Sequence, residues 1–104
     1  MTSRNRLPNR RPAESFEVEL EGLGYTATVG RFPDGTIGEL FLSNLKSNSS
    51  ADTAARDSAI VFSIALQHGA DPETVRRALC RDSQGHASGP LGAALDVIMG
   101  WGGP

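Results

Sequence analysis

The chain has 104 residues, a formal net charge of −2, 38% hydrophobic residues and a single cysteine. That length suffices for one small domain with one core. Lone Cys80 excludes an internal disulfide and a cysteine-rich metal site, and no apolar run reaches membrane-spanning length.

Residues 1–13 hold Arg4, Arg6, Arg10 and Arg11, while all twelve acids lie beyond them. Two prolines and few apolar groups make this stretch a flexible basic arm, and 14–104 a single α+β domain. Clustered arginine suits phosphate, so nucleic acid is one partner class expected of the arm. The arm lacks the apolar segment of a secretory signal, and the expected location is the cytoplasm, with no membrane partner.

Phe16, Val18 and Leu20 alternate with Glu17, Glu19 and Glu21, which is the period of a strand with one wet face. A turn is expected over 21–24, and a second strand over 25–32 with Tyr25, Ala27 and Val29 on one side. Pro33-Asp34-Gly35-Thr36 is a turn signal. A third strand over 37–43 sets Leu40 and Leu42 on one face, with Glu39 and Phe41 on the other. Short loops join the three into an antiparallel meander.

Ser49 or Ser50 caps a central helix over 51–68, with Asp52 in its first turn and Gly69 after its end. Its segment Ile60-Val61-Phe62-Ser63-Ile64-Ala65-Leu66 is apolar nearly all round, so cover is expected on several sides, with Phe62, Ile64 and Leu66 in the core. Asp71-Pro72-Glu73 opens a second helix, with Val75, Ala78 and Leu79 facing inward and Arg76 and Arg77 pointing away. A third helix begins at Pro90 and presents Leu91, Ala94, Leu95 and Ile98, with Trp101 extending that face. The fold class is α+β: a three-stranded meander followed by three helices packed on it.

Chemistry-bearing constellations are sparse. Cys80 and His86 lack a third group to orient the imidazole, and a buried or inert thiol at a helix end is the expectation. His68 and His86 lack metal-ligand spacing. Ser88 and Gly89 open the third helix close in sequence to Arg76, Arg77 and Arg81, and together these form a candidate anion or partner contact. Trp101 is a candidate association residue.

The string YTATVGRFPDGTIGELFL, a Ser-rich loop, SIALQHG, DPETVRRAL and ASGPLG resemble the TSCPD domain. That domain lies near the C-terminus of cobalamin-dependent (class II) ribonucleotide reductases and also occurs as a small bacterial protein. The likeness spans residues 7–95 and is carried by Tyr25, Thr28, Val29, Gly30, Asp34, Gly35, Gly38, Glu39 and Phe41, then by Ala65, Leu66, Gln67, Gly69, Glu73, Ser88 and Gly89. The Thr-Ser-Cys-Pro-Asp string and the paired cysteines of the large enzymes are absent. The resemblance implies a non-catalytic binding or regulatory module associated with ribonucleotide reductase. Its implied partners are a reductase subunit or a second copy of itself. Cobalamin enters only through the resembled enzyme, and no cofactor is expected on this chain. The alternative is a nucleic-acid-binding accessory protein that uses the arginine arm.

Overall fold

The computed structural model describes residues 4–46 and 49–100, so Trp101 lies outside the described residues. Three strands, β1 (Ala13–Leu20), β2 (Leu23–Arg31) and β3 (Ile37–Asn44), precede three helices, α1 (Ser50–Gln67), α2 (Pro72–Ala78) and α3 (Pro90–Ile98). The strands form one antiparallel sheet in the order β1-β2-β3. This is the α+β meander that the alternating apolar pattern predicts.

The β1–β2 turn needs only Glu21 and Gly22, because both adopt positive φ, at 52° and 78°. That geometry matches the twist of the flanking strands. β1 starts three residues before the Phe16 alternation, because Ala13, Glu14 and Ser15 extend the ladder opposite Gly30, Val29 and Thr28.

The inner face of the sheet carries Val18, Tyr25, Ala27, Val29, Leu40 and Leu42. Helix α1 adds Ala55, Ala59, Phe62 and Leu66, and α3 adds Ala94 and Leu95. The α1 spacing is four, three and four, one helical stripe, and its two alanines let the helix backbone come close to the sheet. α1 packs chiefly on β3, α3 on β1, and α2 against α3. Ser49 caps α1 by accepting from the Asp52 amide, and Asp71 caps α2 by accepting from the Thr74 amide.

Three burial expectations are corrected. Ile64 is 43% exposed, and Ile60 and Val61 are exposed with it, so α1 is covered on one side and not all round. The reason is positional: α1 runs beside the last strand of a small sheet, and nothing among the described residues packs on its far flank. Arg76 does not point away but is buried, because Glu73 and Asp96 both bond its guanidinium. Cys80 is exposed, not buried, since α2 ends at Ala78, two residues before it.

Candidate functional site

Helix α1 closes the outer edge of β3 with side chains in place of a fourth strand. The Ser63 hydroxyl accepts from the Leu40 amide at 2.9 Å and donates to the Leu40 carbonyl at 3.0 Å. Gln67 Nε2 donates to the Gly38 carbonyl at 3.0 Å, and Asp52 Oδ1 accepts from the Asn44 amide at 2.9 Å. Edge-strand peptide groups left bare template unwanted pairing, and here three polar side chains on one helix engage both groups of Leu40, the Gly38 carbonyl and the Asn44 amide.

The same placement opens a cleft of about 510 Å³ between α1 and the outer face of the sheet. Phe41 from β3 and Ile60 and Ile64 from α1 form its apolar walls, with Thr26, Thr28 and Ser43 supplying hydroxyls. Phe41 is 55% exposed and Ile60 54%. Exposed large apolar groups gathered round one concavity mark a contact surface more than scattered ones do. Arg4, Glu39, Arg56 and Gln67 complete the rim.

The arm meets the body at this rim. Arg4 Nε donates to Gln67 Oε1 at 2.6 Å, and the Asn5 amide donates to the Gln67 carbonyl at 2.7 Å. Leu7 sits over Gly38, where a side chain would collide with it. Arg11 pairs with Glu39, whose carboxylate lies over Gly30 and leaves no room for a Cβ there. Glu39 is therefore 8% exposed although it stands on the outer face expected to be wet. The Glu39 hydrogen bond is the main cause of the raised Arg11 pKa. Arg6 and Arg10 are exposed and form no ion pair among the described residues.

The second group of candidate residues forms an internal network. Asp96 on α3 receives Arg81 at 2.9 and 2.7 Å and Arg76 at 3.3 Å. Glu73 bonds Arg76 and Arg77. Burial pushes the Asp96 carboxyl up, but the bonds from Arg81 and Arg76 outweigh it and hold the carboxyl below its ordinary range. The Arg76 hydrogen bond leads in lowering Glu73 to about 2. These arginines thus serve carboxylates of the chain itself, joining α2, its following loop and α3. Arg77 is largely exposed. Gly89 caps α3 without a side-chain bond, and the Ser88 amide donates to the Cys80 carbonyl, so neither assembles with the arginines into a cradle. His86 stands 3.8 Å from Asp82, and no group of three metal-ligating side chains occurs among the described residues. No described helix is long and apolar enough to cross a membrane.

Sequence reading missed the cleft. The available signal was the surplus of apolar residues at Ile60, Val61 and Ile64 beyond what one buried stripe uses.

A vitamin B12-dependent ribonucleotide reductase of Agrobacterium fabrum is 33% identical over 66 residues, which is 64% of this chain and 5% of that protein. The chain thus spans about a twentieth of the length of the relative it matches. No family model and no solved structure matches it significantly. The chain is related to one small part of a B12-dependent ribonucleotide reductase.

Proposed function

We propose that this chain is a non-catalytic, TSCPD-like module that associates with ribonucleotide reductase and docks on a reductase subunit through the Phe41–Ile60–Ile64 cleft. The observation that carries this reading is the alignment, which confines the likeness to a segment far smaller than the reductase itself. The exposed apolar walls of the cleft support a protein contact. Cobalamin belongs to the partner in this reading, and the cytoplasm is where the two would meet. Radical reduction needs a redox cysteine pair and a further radical-bearing cysteine, and this sequence has Cys80 alone.

The test is titration of the purified chain into the B12-dependent reductase of the same cell, followed by sedimentation and by ribonucleotide turnover. A complex is expected, with a change in the reductase rate and no turnover by the chain alone, with or without cobalamin. Ile60→Asp/Ile64→Asp should abolish the complex while leaving the fold intact, since both positions are exposed. Absence of a complex at about 100 μM, weaker than most specific pairs, would overturn the reading.

A second reading, nucleic-acid binding by the arm, rests on exposed Arg6 and Arg10. It is weakened because Arg4 and Arg11 are engaged with the body.

A further inference from the structure

The sheet has two edges and α1 closes only one. At the other edge, β1 runs for eight residues in unbroken register with β2, without proline or bulge. Ser15, Glu17 and Glu19 are exposed.

The turn decides which peptide groups face outward. A two-residue turn makes Leu20 and Leu23 the closing hydrogen-bonded pair, and Val18/Tyr25 and Phe16/Ala27 follow it in phase. Ser15, Glu17 and Glu19 therefore aim their N–H and C=O groups away from β2. The same phase turns Leu40 away from β2 at the opposite edge, which is where Ser63 meets it. No described residue bonds the outward peptide groups of Glu17 or Glu19.

The chemistry of an incoming strand follows from the two faces. Glu17 and Glu19 stand on the outer face without an ion pair among the described residues, whereas Glu14 is held by Arg31 at 3.1 Å. On the inner face Phe16 and Leu20 are only partly buried, beside α3. A second copy of β1 is a poor occupant, because registers that overlap most of the strand bring Glu17 and Glu19 of both copies opposite or diagonal to one another.

We infer that the free edge of β1 binds an extended segment of another protein by strand addition, with Lys or Arg at alternate positions over Glu17 and Glu19 and apolar residues at the intervening and flanking positions, over Phe16, Val18 and Leu20. This site is separate from the α1 cleft and does not depend on the reductase reading.

The probe is an eight-residue capped peptide of alternating lysine and valine, with an alternating glutamate and valine peptide as its counterpart. Amide resonances are followed by NMR, and affinity by calorimetry. The lysine peptide should bind with changes centred on Ser15, Glu17 and Glu19, and those amides should gain protection from hydrogen exchange. Glu17→Lys/Glu19→Lys should weaken it at least about tenfold and favour the glutamate peptide instead. Glu17→Pro removes an outward donor without touching the β1–β2 ladder, and should weaken binding of the lysine peptide while its charge partner Glu19 remains. Should either variant misfold, Glu17→Gln/Glu19→Gln gives the charge test with near-isosteric side chains, and an intermediate loss is expected. No binding at about 1 mM, equal binding of the two peptides, or changes centred on Phe41 and Ile64 would overturn the inference.

Discussion

Ser63 grips Leu40 by both of its peptide groups, accepting from the amide at 2.9 Å and donating to the carbonyl at 3.0 Å. One hydroxyl thus replaces a neighbouring strand at the centre of β3. Ser63→Ala leaves two edge groups without partners in a partly buried seam. The expected loss is about 1–3 kcal/mol per unsatisfied group at most, read from urea unfolding with an unchanged slope. An unaltered midpoint would show that water replaces the hydroxyl fully.

Phe62 and Ile64 separate the two sides of α1. Phe62 is 2% exposed, and Phe62→Ala should cost about 3–5 kcal/mol. Ile64→Ala, on the cleft wall, should cost under about 1 kcal/mol, yet weaken any complex formed through the cleft. Equal losses of stability at the two positions would place Ile64 in the core after all.

Gln67 links the arm, α1 and β3 through Arg4, Asn5 and Gly38. Gln67→Ala removes the side-chain bonds to Arg4 and Gly38 but keeps the backbone carbonyl that Asn5 bonds, so it should loosen the first residues of the arm while the Arg11–Glu39 pair still holds its end. Trypsin cleavage after Arg4 and Arg6 should accelerate relative to the unsubstituted chain, and mass spectrometry of early digests reads it. An identical digestion pattern would mean that the Asn5 backbone bond and Leu7 against Gly38 are anchor enough.

Acid should loosen the junction of α2 and α3. The folded pKa values of Glu73 and Asp96 are lowered, so their contribution is present above the ordinary values of 4.5 and 3.8 and is lost as pH falls through the folded values, about 2 for Glu73. Thermal midpoints should therefore drop between about pH 4.5 and pH 2. In Glu73→Gln/Asp96→Asn that part of the slope should disappear. An equally steep fall in the variant would assign the acid sensitivity to other carboxylates.

The arm gives a salt-dependence test. If only Arg6 and Arg10 contact phosphate, the slope of log K against log salt on duplex DNA should not exceed about 2 in magnitude. A slope near 4 would require Arg4 and Arg11 to leave Gln67 and Glu39.

The element list, most caps and the order of strands are legible in the order of the amino acids, because these depend on neighbours a few residues apart. Alternation at Phe16, Val18 and Leu20 marks a strand wherever it packs, and Asp71-Pro72 starts a helix by local bonding alone. The burial of Glu39 and Arg76 and the exposure of Ile64 depend instead on contacts between distant segments. Glu39 is buried because Arg11, 28 residues away, covers it, and Arg76 because Asp96 arrives from α3. Ile64 is exposed because α1 lies along a strand edge and has one side to bury, not two. Local periodicity reports the polarity of a residue. Its burial depends on which distant group supplies the opposite charge or the missing surface, and that is settled only when the chain is folded.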